Sequence, residues 1–449
     1  MRRIFCAVLG VLTPFYANAF TLEPEYLANQ LIVRMEAHAS LPMIQDVERY
    51  EVLVPSLSLY LLHLNPRSRY SVRSQIEVLR NRPGVIYASP DFKVTMRTSP
   101  NDPDFLKQWN YANTTSLGSI SADQAWDFGV GGRDLNGNEI VVAVVDDGLD
   151  YNHPDLKSNV WTNTGEISGN GIDDDQNGYV DDILGWDAHL DKGGNLRVNY
   201  HGTHVAGTVG AKGANGLLVT GVNWDVKLMS VVGASGSISI VAKGYGYVIA
   251  QKKLWLETSG AKGANIVATN SSFGIDYADC RTDQHRTWND LYEEMGRLGI
   301  LSAVATANMD INVDQIGDVP SGCTSEYVIS VTNTDRNDVK GRCGYGKESI
   351  DLSAPGTLIL STLPNGRTGT LSGTSMATPH VAGAIGFLYS VASPQLTQQF
   401  TRDPGVGALT IKKKLLSGVD PVESLKDKTV SGGRLNLYKA AAAVNSFAE

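Results

Sequence analysis

Short apolar runs recur along residues 139–331, separated by amphipathic or apolar stretches of helical length. Glu139–Val145 reads Glu-Ile-Val-Val-Ala-Val-Val, the kind of run that a parallel strand buried on both faces requires. Val226–Val232, Ala264–Asn270, Gly299–Thr306 and Tyr327–Val331 have the same character. Helical patterns fall at His201–Ala211, Ser237–Thr258, Arg286–Leu298, Thr374–Val391 and Leu409–Leu416. Residues 376–391 are apolar nearly all round, which predicts a helix buried on every side. The alternation predicts an α/β fold, a doubly wound parallel sheet whose site lies at the carboxyl ends of its strands.

Residues 20–98 follow another pattern. Leu31–Met35 is strand-like, Leu41–Tyr50 has helical spacing, and Val52–Asn65 alternates Leu with polar residues as a strand does. Ser71–Arg82 reads as a second helix, closed by Pro83-Gly84, and Val85–Arg97 as a last strand. These predict a small α+β unit, ferredoxin-like, with two helices on one sheet face. Ahead of it, Arg2-Arg3, the mostly apolar Ile4–Phe15 and the small-residue step Ala17-Asn18-Ala19 read as a signal peptide. That apolar run is shorter than the ~20 residues a membrane helix needs. Thr98–Asp104 is polar and contains proline, suited to a linker and to cleavage. The expected organisation is a signal peptide at 1–19, an accessory unit at 20–100 and a large domain at 101–449.

Net charge changes the picture in one respect. At −9 over 449 residues, the charge disfavours nucleic acid as a partner, since phosphate binding needs basic patches. Cysteine count adds another. With Cys6 removed in the signal, Cys280, Cys323 and Cys343 remain, and an exported chain would form one disulfide and keep one thiol. Three pairings are possible; the loop-borne pair Cys280–Cys323 is preferred.

The chemistry gathers around Gly369–Gly383. Ser375 sits where the apolar helix would begin, near backbone N–H groups without intrahelical partners and the positive end of the helix dipole. A serine oxygen there can attack a carbonyl and leave the oxyanion facing those donors. Local rules would start the helix at Pro379, because an interior proline costs about 3 kcal/mol. Strand 140–145 runs into Asp146-Asp147-Gly148, and a carboxylate at that place can orient an imidazole. The loop Gly171–Asp182 alternates Asp173, Asp175 and Asn177, then has Gly178 for a sharp turn and the Tyr179 carbonyl. Asp181 or Asp182 would close the shell of a hard cation such as calcium, although no terminal Glu follows.

Gly-Thr-Ser-Met-Ala-Thr-Pro-His-Val-Ala-Gly, 373–383, resembles the nucleophile segment of the subtilisin-like serine proteases, in which the serine heads a helix with a proline in it. The resemblance makes Ser375 the nucleophile. Asn199-Tyr-His-Gly-Thr-His-Val-Ala-Gly-Thr208 is similar to the family's histidine motif, which implies His201 as general base and a packing role for His204. Asp146 then matches the triad acid. Ala305-Thr-Ala-Asn308 is similar to the family's Ala-Gly-Asn segment and implies Asn308 as oxyanion donor, with Ala307 where glycine is usual. Asn270-Ser-Ser-Phe-Gly274 resembles the segment that pairs with extended substrate, placing Ser272, Phe273 and Gly274 at the primary pocket. Asp147 departs from the commoner Ser or Thr and matches the kexin-like group. It would either favour a basic residue one step before the scissile one or be held by a turn hydrogen bond.

Pro83–Phe92 is similar to the end of the inhibitory propeptide that precedes such catalytic domains, and Pro100–Trp109 resembles a thermitase-like mature N-terminus. On that resemblance Asp102, Asp155 and Asn215 would form a second calcium site, with Leu218 departing from the usual glycine. The implied protein is a secreted (extracellular or periplasmic) serine endopeptidase, stabilised by Ca2+, autoprocessed from a pro-form and monomeric when mature. Its partners would be polypeptide substrates and its own propeptide as inhibitor. The competing expectations are a catalytically silent binding protein on the same fold and an esterase or peptide ligase using the same triad.

Overall fold

A computed structural model describes residues 26–68, 70–93, 98–112 and 116–448. The expected signal peptide at 1–19 lies outside the described residues. The chain divides into two compact units, Met1–Met96 and Arg97–Glu449.

In the first unit four antiparallel strands lie in the order Val47–Val54, Leu59–Leu64, Tyr26–Met35, Val85–Phe92. Helix Val72–Arg80 is capped by Ser71, whose side chain accepts from the Ser74 amide, and it buries Val72, Ile76 and Leu79 with Leu31, Val33 and Leu62 of the sheet. The helix expected over Leu41–Tyr50 does not form. That stretch is a loop leading into strand Val47–Val54, bounded by His38 and Asp46 at positive φ, and Pro42 near its start further disfavours a helix. Val47, Tyr50 and Val52 are better placed as strand residues paired with Leu64, Leu62 and Tyr60. The single strand expected over Val52–Asn65 is split by a 3₁₀ turn at Pro55–Leu57 that ends on Ser58, at φ 49°. Of the ferredoxin-like pattern, the strands and the second helix are present and the first helix is not.

The second unit is built on a nine-stranded sheet. Its order is Asp420–Pro421, Gly433–Arg434, Leu352–Pro355, Val328–Thr334, Leu301–Ala305, Ile266–Ser271, Val141–Asp146, Lys227–Val232, Gly185–Asp187. All neighbours are parallel except the first pair. Strand Val141–Asp146 shows why its run is continuously apolar. Val142 and Val144 face one core, with helices Tyr200–Gly210 and Thr374–Ser390; Val141, Ala143 and Val145 face the other, with Ile238–Glu257 and Arg286–Arg297. The fold is therefore the expected doubly wound α/β arrangement. The chain leaves Val141–Asp146 toward Lys227–Val232 on one side and returns to Ile266–Ser271 on the other, so a crevice opens at the carboxyl ends of these strands.

Periodicity missed some elements. The hairpin of Ile359–Leu363 and Arg367–Leu371 and the short strand Leu352–Pro355 are too brief to declare themselves. The helix expected at Leu409–Leu416 begins at Pro404, capped by the Asp403 side chain on the Val406 amide. Among the described residues no helix is long and apolar enough to cross a membrane.

Cys280 and Cys323 form the disulfide preferred from sequence, and Cys343 is a buried free thiol. The bond ties together the two chain segments that follow a small antiparallel ribbon, Ile275–Asp276 with Asp318–Val319. Closing a loop across a sequence separation of 43 contributes about 4 kcal/mol in the chain-entropy account. Replacing both Cys280 and Cys323 by serine should lower the urea-unfolding free energy by up to about that amount. Replacing Cys343 alone should leave this loop-closure contribution intact.

Candidate active site

Three separate elements deliver polar side chains to the crevice. Asp146 is the last residue of its strand and is buried. Its Oδ1 accepts from His201 Nδ1 at 2.8 Å and from the Asp147 amide at 2.8 Å. An imidazole that donates from Nδ1 leaves Nε2 as the proton acceptor. His201 is the second residue of a helix whose cap, Asn199, accepts from the Tyr200 amide. The helix can approach because residue 202 is glycine: a Cβ there would lie 2.4 Å from the Gly148 carbonyl oxygen. Burial alone would depress the His201 imidazole, but the Asp146 bond and the charges of Asp146 and Asp147 outweigh it and hold the ring above its ordinary value.

Asp147 is half-buried and accepts from the Gly202 amide at 2.9 Å. The bond runs to the helix that carries His201, not within the turn 146–148. Burial and the adjacent Asp146 charge push its carboxyl up to about 6. His204 points away into the core, with Nε2 2.9 Å from the Ile359 carbonyl oxygen, and burial pushes it down to about 4.

Ser375 is the second residue of helix Thr374–Ser390, which follows Gly373 at φ 149° and contains Pro379, so the helix starts where the motif implied rather than at the proline. Pro379 has no N–H for the carbonyl four residues earlier, which is that of Ser375. Ser272 supplies the replacement: its Oγ donates to the Ser375 carbonyl at 3.1 Å and accepts from Asn270 Nδ2 at 2.9 Å. In return, Ser375 Oγ donates to the Ser272 carbonyl at 3.3 Å. Among the described residues His201 Nε2 makes no hydrogen bond, and a bond from Ser375 to His201 is not formed in this conformation. Such contacts commonly tighten only with substrate. Asn308 Oδ1 accepts from the Thr374 amide at 3.0 Å, which leaves the exposed Nδ2 as a donor without a partner among the described residues.

Ser272, Phe273 and Gly274, the segment expected at the primary pocket, line one cavity of about 200 Å³ together with Ala307, Asn308 and Ser375. Asp318 also lines it and escaped the sequence reading, because an aspartate before a Val-Pro step carries no motif of its own.

The acidic loop folds into a compact cluster. Carboxylate oxygens of Glu166, Asp173 and Asp175 lie within 4.8 Å of one another. Such an all-oxygen set fits a hard cation such as calcium. Glu166 was not anticipated, lying outside the Asp-x-Asp-x-Asn run. Asn177 bridges Asp175 and Asp182 through Nδ2 and accepts from the Tyr179 amide. The Tyr179 ring packs edge-on against Trp186 and Tyr247. Asp182 is fully buried, accepts from Asn163, Asn177, Tyr247 and Gln251, and is pushed up to about 6 by burial. The second predicted set also converges. Asp102 accepts from the Ala214 and Asn215 amides, and Asp155 from Asn215 Nδ2 and the Val219 amide. Burial raises the carboxyls of both Asp102 and Asp155.

The sequence profile of the Subtilase family matches residues 137–420. Subtilisin-like protease 1 of Plasmodium falciparum (isolate 3D7) is 33% identical over 323 residues, 67% of this chain and 43% of that protein. The extracellular basic protease of Dichelobacter nodosus is 30% identical over 344 residues, 71% of this chain and 53% of that protein. The chain thus spans about half the length of these curated relatives. A solved protease structure from Pseudoalteromonas arctica aligns with a TM-score of 0.56 at 23% identity, over 77% of this chain and 100% of that one, a likeness of fold. With the profile spanning the sheet strands that carry Asp146, Ser271 and Ala305 and the helices that begin beside His201 and Ser375, this chain belongs to the Subtilase family.

Proposed function

We propose that this chain is a secreted serine endopeptidase that hydrolyses polypeptides through an acyl-enzyme and is autoprocessed from a pro-form. The observation that carries the reading is the 2.8 Å bond from His201 to the buried Asp146, made at the same strand ends where Ser375 heads a buried helix. Ser375 attacks the carbonyl, His201 takes its proton and returns it to the leaving amine, and Asp146 holds the imidazole and stabilises the imidazolium. Asn308 Nδ2 and the Ser375 amide receive the oxyanion, and water releases the acyl group. The first unit acts as the inhibitory propeptide, cut within Thr98–Asp104. Calcium would be held by Glu166, Asp173 and Asp175 and by Asp102, Asp155 and Asn215, and would neutralise carboxylates such as Asp102 and Asp155 that burial penalises.

Intact-mass analysis of the full chain and of Ser375→Ala tests the core of this. The unaltered chain should shed a fragment ending near residues 98–104; the variant, losing about 10⁶ in turnover, should remain whole. A variant cut at the same rate would overturn the proposal. Asn308→Ala should lower kcat about 100–1,000-fold with little change in KM.

The pH profile follows from the His201 environment. A base acts only when neutral, so kcat/KM rises with pH through the imidazole pKa, with its acid limb centred above the ordinary 6.5. Asp147→Asn removes a charge that favours the imidazolium, so the limb should move to lower pH; an unmoved limb would show that Asp147 does not act on His201.

Chelation tests the cation. At a free calcium concentration of about 100 Kd, a bound ion contributes about 2.7 kcal/mol to stability, and EDTA should lower the thermal midpoint accordingly. Glu166→Gln should weaken the calcium response.

A further inference from the structure

The cavity beside Ser375 has an acidic wall that no motif accounts for. Asp318 lies on it at 2% exposure. Its Oδ2 accepts from the Ala307 amide at 3.0 Å and from the Ser321 hydroxyl. Its Oδ1 accepts no hydrogen bond among the described residues, and no lysine or arginine of those residues pairs with it. Asp276 lines the same cavity from an exposed position. The two carboxylates are cross-strand partners on the ribbon Ile275–Asp276 with Asp318–Val319, and like charges directly opposite destabilise a ribbon. The ribbon is held nonetheless, by the Cys280–Cys323 disulfide just beyond it and by close packing. Gly274 lies so near the Val319 carbonyl oxygen that a Cβ would approach to 2.4 Å.

A buried carboxylate without a cation is costly, and removing its charge or pairing it relieves that cost. Burial and the Asp276 charge push the Asp318 carboxyl up to about 6, against the Ser321 and Ala307 bonds. At the neutral to alkaline pH where a neutral His201 works, the group is ionised. The cavity is lined by this carboxylate, by Ser375 and by Ser272, Phe273 and Gly274, the segment whose motif resembles the primary pocket; on that resemblance a side chain entering it belongs to the residue on the acyl side of the scissile bond.

We propose that Asp318, assisted by Asp276, sets a preference for lysine or arginine on the acyl side of the scissile bond. This rests on the peptidase reading and names the substrate class of the same site. An ammonium or guanidinium meets the open Oδ1; an apolar side chain would seal the carboxylate in place with no partner and be rejected.

The test uses the matured full chain and four peptide p-nitroanilides differing only in the last residue: Arg, Lys, Leu or Phe. The basic pair should exceed the apolar pair in kcat/KM by about 100-fold, within the range over which buried polar groups discriminate. Asp318→Asn keeps an acceptor for Ala307 and Ser321 and removes the charge, and the ratio of Arg to Leu should then fall at least about tenfold. A purely structural Asp318 would lower all four substrates alike and leave the ratio intact, which would overturn the proposal; so would a preference for Leu or Phe in the unaltered chain. p-Aminobenzamidine, whose fluorescence reports binding, provides a second measurement on the unaltered chain and covers a variant that fails to fold. Binding to a chain that cleaves none of the peptides, lost in Asp318→Asn, would sink the peptidase reading and sustain the cation pocket. No binding would sink the pocket whether or not peptides are cut.

Discussion

One missing hydrogen bond organises the site. Pro379 cannot donate to the carbonyl of Ser375, and an unpaired buried carbonyl is a cost that a fold has to relieve. Ser272, at the end of a central strand, relieves it from outside the helix. The helix that presents Ser375 is thereby fastened to the strand segment that lines the cavity, and Ser375 Oγ fastens back to the same residue. Ser375, the segment that lines the cavity and Asn308 are thus joined by hydrogen bonds, since Asn308 is itself tied to the Thr374 amide. A helix without the proline would satisfy its own carbonyl and leave Ser272 uncommitted.

Negative charge is concentrated around this unit. Asp146 supports His201 from below, Asp147 stands beside it, and Asp318 and Asp276 line the adjoining cavity. Burial raises the carboxyls of Asp147 and Asp318, and the His201 imidazole beside Asp146 and Asp147 is raised too. Burial is the larger cause for the two carboxylates, with a neighbouring carboxylate adding to it, whereas the imidazole rises against burial because Asp146 and Asp147 favour its charged form. Carboxylates also crowd at Glu166, Asp173 and Asp175, where amides of the same loop serve as donors. Acidic loops of this kind hold their shape most cheaply with a cation among the oxygens.

The small first unit follows different rules. Its sheet is antiparallel, one helix covers it, and Tyr50, Val52, Ile86 and Tyr87 remain exposed on strands. Its expected first helix failed because the helical spacing of Leu41, Ile44 and Val47 is also compatible with a loop followed by a strand. Pairing with Leu59–Leu64 supplied backbone partners that a short, proline-containing helix could not match.

The local sequence determined five adjacent strands of the large sheet, the buried helix, the Asp146, His201, Ser375 and Asn308 motifs and the acidic loop. It did so because each depends on a continuous apolar run or on residues close together in the chain. Loop placement favoured the Cys280–Cys323 pairing but left the other two open, and the tertiary structure chose it. Tertiary structure alone decided that Ser272 replaces the hydrogen bond Pro379 lacks, that Glu166 joins Asp173 and Asp175, and that Asp318 faces Asp276 across a cavity beside Ser375. Each of these joins residues that no local pattern relates: 272 to 375, and 276 to 318. Contacts of that kind are set when strands are ordered in a sheet and loops close over their ends, and side-chain spacing along the chain carries no record of them.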